Sequence, residues 1–511
     1  MKSLDIKTLL FIVGSLLFIY AYHDSLEFRP TLYDDPNYLQ NRTNTFSSSS
    51  YWSSLLFEPV INLWHPLTVF SHDCLSLIDQ KAPWIHHFTN GLIHICNAYL
   101  LFFWIKKISN ESLLATSSAL IWLLHPVVVE STTWVSGRKD LLCLFFVLST
   151  LIVATLERRY WITIVLATLA ILAKPTAVML PFVLIIQDNA LTKTTLWNRT
   201  SLFDSVKRHL LVLTLSFLTL SLTIYFQTKG GQSIVDPRNF LERETGAAWA
   251  LLHSIKHWIW PQNLHIAYPD PTNLTVLYTI SGFIIFGIST YIITSRKAPA
   301  LIRICLGLFL LFLFPTLGFV RAGNSLLADR YLYTSGIGLT VLLLYPLVKY
   351  PKLLISFTFI TIVTFSHLTW LQRQHWRSTE ALFKRVVSLK PKHPEALAQL
   401  AILEKQKGNH TKAKEMFKKS FEKNSENPIA HLHLGIYSIE DDNRQKAYEH
   451  FSAIVAFRGR ELWLHENLAK LAWELDQKTT ATKHLQDALQ LANTKTEKAR
   501  ITQLIQKLNL E

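Results

Sequence analysis

The chain has 511 residues, half of them hydrophobic and only 17% charged, with 30 Phe, 17 Tyr and 15 Trp. Soluble domains carry roughly 25% charged residues, so this composition excludes a disordered chain, a collagen-like one and a single soluble globular enzyme. The formal net charge of +15 is spread over both halves without a long basic block, which reads as membrane topology rather than a nucleic-acid footprint.

Apolar runs near 8–22, 88–105, 112–129, 141–156, 160–173, 175–187, 210–226, 274–294, 300–320, 331–348 and 353–370 predict about eleven membrane spans. No small-residue cleavage site follows the first run, so it reads as a retained helix. The fold class is therefore all-α: a membrane helix bundle over 1–370, then a different domain over 371–511. Cys74, Cys96, Cys143 and Cys305 are too scattered for a disulfide framework or a zinc site.

Lys and Arg choose the orientation. With the N-terminus inside, the inner loops hold Lys106-Lys107, Arg158-Arg159, Lys193, Arg199, Lys207-Arg208, Arg296-Lys297, Arg303, Lys349 and Lys352. That is about 15 basic residues in roughly 50 inner positions against about 12 in roughly 130 outer ones. The C-terminal domain then lies outside, in a periplasm or a lumen. Segment 249–260, with His253, Lys256 and His257, suits an interfacial helix better than a span.

On this topology the odd polar residues fall mostly outside. Tyr33-Asp34-Asp35-Pro36-Asn37-Tyr38 follows the first run and reads either as a helix start or as a carboxylate site. Trp64-His65-Pro66-Leu67-Thr68 suits an interfacial helix, with His65 a surface or a functional histidine. His87, Asn90 and His94 share one helix face within a membrane run. They line a cavity, satisfy one another or, less in keeping with membrane helices, offer a histidine pair to a divalent metal. In the next outer turn Glu130, Trp134 and Arg138 recur every four residues, one face if helical. Lys174 stands alone between two apolar runs, where a charge costs about 2.5–3.5 kcal/mol and usually has a task. Asp329-Arg330-Tyr331 opens a late helix and reads as an interfacial anchor or a site.

After Trp370 the sequence turns charged and helix-forming. A 34-residue period aligns Leu400, Leu434 and Leu468, then Ala401, Gly435 and Ala469, then Ala413, Ala447 and Ala481, then Phe417, Phe451 and Leu485. Small residues where two helices touch and a large one where the second packs are what a stacked helix pair requires. Phe383 and Pro391 continue the phase backward, so a half repeat precedes about three full ones. Such solenoids bind peptides or partner proteins in a groove, and the fold alone does not say which.

The outer groups combine carboxylates on two loops with cations at Arg138, Lys174 and Arg330. Transfer of a sugar from a polyprenyl phosphate to a hydroxyl needs that set beside a bilayer. The hydroxyl needs a carboxylate to take its proton, and the departing phosphate needs cations. No protonation of the leaving group is required, so a single inverting displacement is the natural mechanism.

DDPNY, WHPLT, HHFTNGLIH, HPVVVESTTWVSGRKDLL, AKPTAVMLP and DRYLYTSGIG occur in this order, followed by the repeats. The whole chain resembles the transmembrane-and-tetratricopeptide protein O-mannosyltransferases and their bacterial relatives, which have the GT-C fold. The resemblance implies a lipid-linked sugar donor and no certain cofactor. It implies a catalytic role for Asp34 or Asp35, with Glu130 beside them. It also implies donor-phosphate contacts at Arg138, Lys174 and Arg330; Tyr331 stands beside them as a further candidate, and His65, His87, Asn90, His94 and Trp134 are candidates to line the site. The sugar is inherited from the family and is not written in any motif here. Alternatives are the same chemistry on a lipid or glycan acceptor, and a non-catalytic scaffold whose repeats recruit a partner. A transporter would need paired halves with broken helices, which the sequence does not show.

Overall fold

The first apolar run winds into α1 (Ile6–Tyr22), which carries no charge after Lys7. The protein is seen here as a computed structural model, which describes residues 6–39, 46, 48–61, 63–78, 83–156, 160–229, 238–268, 271, 275–318, 325–455, 461–492 and 494–508. The basic pair Arg158-Arg159 lies outside them. The described residues are all-helical, apart from one isolated bridge between Val60 and Leu63. The chain divides into Met1–Leu382 and Phe383–Glu511. The expected boundary at 370/371 moves because the last long apolar helix continues to Gln374. The residues after it also pair with the first loop, where Arg29 N donates to Arg377 O and Leu32 N to Thr379 Oγ1.

In the first unit the helices after α1 are α2 (Asp35–Tyr38), α3 (Ser49–Phe57), α4 (Pro66–Ser76), α5 (Pro83–Ser109), α6 (Ser112–Leu123), α7 (Val129–Thr133) and α8 (Arg138–Ala154). Next come α9 (Tyr160–Ala173), α10 (Leu180–Leu191), α11 (Arg199–Arg208), α12 (Leu210–Lys229) and α13 (Phe240–Ile259). The unit continues with α14 (Val276–Thr294), α15 (Ala300–Leu313), α16 (Leu332–Leu344) and α17 (Pro351–Gln374), and ends inside α18 (Thr379–Leu389).

Six described helical stretches are long and apolar enough to cross a membrane: Lys7–Glu27, Pro83–Ser109, Leu210–Thr228, Val276–Thr294, Asp329–Lys349 and Pro351–Gln374. A seventh exists if α6 and the Pro126–Thr133 segment, bent by 51°, count as one span. Among the described residues, six or seven stretches rather than the expected eleven are thus long and apolar enough to span. Pro126, Pro175 and Pro315 cut apolar runs into shorter pieces, because proline removes a helical donor and clashes with the preceding turn. A helix of 14 residues such as α9 is about 21 Å long, against about 30 Å of hydrocarbon. Segment 249–260 belongs to α13, whose start is fixed by a capping box between Asn239 and Glu242. Arg303 is a helix residue rather than a loop one, buried in α15 with Nε donating to Ile293 O at 2.8 Å.

Apart from Asp329–Lys349, which is 61% buried, the long stretches bury less than half of their apolar windows. In Val276–Thr294 only 11% of the apolar window is inside, and Phe283, Phe286 and Tyr291 are more than half exposed. In water such a surface is a liability; in a bilayer it is ordinary. The interior is a continuous apolar core in which Leu101, Trp104, Trp122, Leu144, Leu180 and Ile304 are fully enclosed.

The second unit runs from Phe383 in α18 through α19 (Pro394–Gln406), α20 (His410–Lys423), α21 (Pro428–Glu440), α22 (Arg444–Ala453), α23 (Leu462–Glu474), α24 (Lys478–Leu491) and α25 (Lys495–Lys507). Three helix pairs thus repeat at the expected period. The aligned residues are interior: Ala401, Ala413, Phe417, Ala447, Ala469, Ala481 and Leu485 are at most 1% exposed, and Phe451 is 2% exposed. At Gly435 a Cβ would sit 2.5 Å from the Phe451 ring, so the small column is set by close helix approach. The turn within each pair is also periodic. Gly408, Asp442 and Asp476, one period apart, all have positive φ.

Candidate functional site

Asp34 and Asp35 open α2 as the Asp-Asp-Pro pattern predicts, with Pro36 in the first turn. The two carboxylates then have different fates. Asp35 is 1% exposed. Its Oδ2 accepts from Thr31 N (2.7 Å) and Thr31 Oγ1 (3.0 Å), and its Oδ1 accepts from Ser136 N (3.0 Å) and Ser136 Oγ (2.6 Å). An ionised carboxylate has about four acceptor positions, so Asp35 is saturated. It clamps the first loop to the 3-10 turn Val135–Gly137 and positions its neighbour. Asp34 makes no side-chain cap. It is half-buried and faces Lys139 and Arg330. Burial pushes its carboxyl above the ordinary value, against the pull of those two cations.

The segment 125–140 is not one helix. His125-Pro126 starts a 3-10 turn, α7 ends at Thr133, and Trp134 is extended with φ −71 and ψ 128. The turn Val135–Gly137 then feeds α8. Gly137 is required here: a Cβ would lie 2.2 Å from Ser131 O. The expected Glu130–Trp134–Arg138 face therefore does not form, and adjacent residues exchange roles.

Arg138 points inward and is fully buried, its Nε donating to Asn90 Oδ1 and its Nη2 to His86 O, both at 2.8 Å. Nη1 reaches Ser71 O at 3.5 Å. Each of its three nitrogens thus meets a protein oxygen inside the fold. Lys139, which sequence spacing passed over, takes the position beside Asp34. Its ammonium lies 5.1 Å from the Trp134 ring centre and 5.6 Å from that of Tyr38, with Asp34 and Asp140 as its acidic neighbours. The available signal was Gly137, which breaks the helical phase one residue before Arg138.

Arg330 lies in the 3-10 turn Asp329–Tyr331 and donates from Nη1 to Glu130 Oε1 at 2.5 Å, while its backbone N meets Glu130 Oε2 at 3.3 Å. Its guanidinium carbon is 5.8 Å from the Trp134 ring centre and 5.1 Å from that of Tyr331. Glu130, 1% exposed, is thus the counter-ion of Arg330. The Tyr331 hydroxyl donates to Ser325 O. Lys174 pairs with Asp140 across α8. Asp329 accepts from the Tyr268 hydroxyl at 2.8 Å, and burial together with that carboxylate pushes the phenol well above its ordinary range.

The histidines are interior. His65 is 2% exposed and its Nε2 meets the Tyr38 hydroxyl at 2.8 Å, so it braces the ring beneath Lys139 instead of lying on a surface. His87, Asn90 and His94 do share the buried face of α5. Asn90 donates to Trp134 O and holds Arg138. Both ring nitrogens of His94 are engaged, with Tyr333 Oη at 2.9 Å and Leu123 O at 3.0 Å, which removes it from any metal pair with His87.

The structure therefore places Lys139 and Arg330 against the Trp134 ring, with Asp34 facing both cations and Glu130 paired to Arg330, and sets Asp35, Asn90 and Arg138 beside them as supports. A carboxylate of weakened acidity beside two ring-held cations can take a proton from a hydroxyl and hold an anionic group next to it.

No family model matches the chain, and no curated protein matches it. Among solved structures, the crystal structure of yeast Tom70 aligns with 81% of this chain and 96% of its own, at 10% identity and a TM-score of 0.24. A likeness that slight carries no argument about fold or function, which rest on the geometry above.

Proposed function

We propose that the protein is a membrane glycosyltransferase that moves a sugar from a polyprenyl phosphate to a protein hydroxyl. On the Lys and Arg asymmetry, the reaction occurs on the periplasmic or lumenal side, with the N-terminus cytoplasmic. One observation carries the reading: Asp34 is an uncapped carboxylate, raised in pKa by burial, that faces both Lys139 and Arg330. Asp34 takes the proton of the acceptor hydroxyl as the oxygen attacks the anomeric carbon. The bond from that carbon to the lipid phosphate breaks, and the phosphate leaves with one more negative charge. Lys139 supplies a point charge and Arg330 a planar donor set to that growing charge, both held by Trp134. Glu130 keeps Arg330 in place. The repeat unit supplies a surface for the acceptor protein.

Intact-mass analysis of outer-compartment proteins from cells with and without the gene tests this reading. Loss of a hexose- or pentose-sized increment, restored by the wild-type gene and not by Asp34→Asn, supports it. Unchanged masses in every glycosylated protein contradict protein O-glycosylation, and a change confined to lipids or glycans moves the acceptor to that class.

A further inference from the structure

Two histidine pairs stand one repeat apart in the second unit. His431 of α21 and His450 of α22 bring their Nδ1 atoms to 3.0 Å, and His465 of α23 and His484 of α24 do so at 3.2 Å. In each pair the partners are 19 residues apart. The period carries the pair but not the third group beside it. Asp487 follows His484 by three residues on the same face of α24, and its Oδ2 lies 3.6 Å from His465 Nδ1. One period earlier the same position is Ala453. Ligand atoms of His465, His484 and Asp487 all lie within 4.8 Å of one another.

The first pair is complete without a metal. His431 Nε2 lies 2.6 Å from Ser425 O and must donate to it, so in the neutral ring Nδ1 carries the lone pair and accepts from His450. The second pair adds a carboxylate against the same imidazole nitrogen. Zinc–nitrogen bonds of about 2.0–2.1 Å set tetrahedral ligand atoms about 3.3–3.4 Å apart. The separations of 3.2 and 3.6 Å bracket that value. Two imidazoles and one carboxylate also suit a borderline cation rather than calcium or magnesium.

We propose that His465, His484 and Asp487 form a Zn²⁺ site that ties α23 to α24, with its fourth corner open to water or a donor from a partner. The metal spans the two helices of one repeat, at the end of the solenoid away from the half repeat. The proposal is independent of the transferase reading, since its measurement needs no sugar transfer.

The test uses the full-length protein in detergent, stripped with a chelator and titrated with Zn²⁺ against a competing chromophoric chelator, with metal per chain measured by mass spectrometry. One equivalent is expected in the wild type. His484→Ala and Asp487→Asn should lose it or bind at least about tenfold more weakly, and His450→Ala should keep it. Asp487 is 37% exposed, so its amide variant folds normally and the loss cannot be laid to unfolding. Ala453→Asp rebuilds the third group beside the first pair, and a second equivalent in that variant would support the geometry directly. No competitive binding by the wild type, binding that persists in both His484→Ala and Asp487→Asn (adventitious metal only), or equal loss in His450→Ala would overturn the proposal.

Discussion

Each unit is held together internally, by contacts of different reach. In the repeats, partners are close in sequence: Ser420 to Pro394 across 26 residues, Arg444 to Glu474 across 30, Arg500 to Glu466 across 34. In the first unit they are distant: Ser136 to Asp35 across 101 residues, Arg330 to Glu130 across 200, His94 to Tyr333 across 239, Thr358 to Ser117 across 241. A solenoid is a sum of neighbouring units, each bringing its own small and large residues to the same joint. The first unit has one assembled interior, and its polar contacts close long stretches of the chain. Damage should therefore stay local in one unit and spread in the other.

The largest effect separates chemistry from folding. Asp34→Asn keeps shape but not basicity, so turnover should fall about 10²–10⁴-fold with donor affinity unchanged, measured by single-turnover transfer and donor binding. Wild-type turnover in that variant would remove Asp34 as the base. Next, the neighbours Arg138 and Lys139 should behave as opposites. Arg138→Ala leaves a cavity and strips Asn90 and His86 of a donor, which should cost about 3–5 kcal/mol and lower the yield of folded protein. Lys139→Gln should insert and fold normally while weakening donor binding. The reverse pattern would return the phosphate contact to Arg138.

In the second unit, Phe417→Ala should destabilise by about 3–5 kcal/mol but speed amide exchange only in α19, α20 and α21, whose side chains enclose it. Donor binding should not change. Exchange that accelerates throughout the helices of the first unit would contradict the separation of the two units. Smallest is Gly435→Ala, where the new methyl must displace the Phe451 ring; a loss of about 1–3 kcal/mol, again confined to its own repeat, is expected from thermal unfolding.

How much of this the sequence discloses follows the same division. Every aligned column of the repeats proves interior, because a period written in side-chain size is itself the packing rule. The apolar runs coincide with the helices of the first unit, but only six or seven described stretches are long and apolar enough to span, because Pro126 and Pro315 interrupt the runs 112–129 and 300–320. Asp34 and Asp35 were visible as a pair. Which of them is free was not, because the partner that saturates Asp35 is Ser136 on a distant turn. Helical spacing groups Arg138 with Glu130 and Trp134, whereas the segment breaks at Gly137 and brings Lys139 beside Asp34. Glu130 and Arg330 were each singled out, yet their pairing depends on how α7 meets a turn that follows far along the chain.

The most direct measurement of the central claim is the pH dependence of single-turnover transfer in the wild type and in Asp34→Asn. A base must be unprotonated to act, and burial holds the Asp34 carboxyl above its ordinary value of 3.8. The wild-type rate should therefore fall on acidification with a midpoint above that value, and rise to a plateau as the pH climbs past it. In Asp34→Asn the residual rate should lose this acidic limb. An acidic limb that persists unchanged in Asp34→Asn, or a wild-type midpoint at or below the ordinary value, would contradict the assignment of Asp34 as the base.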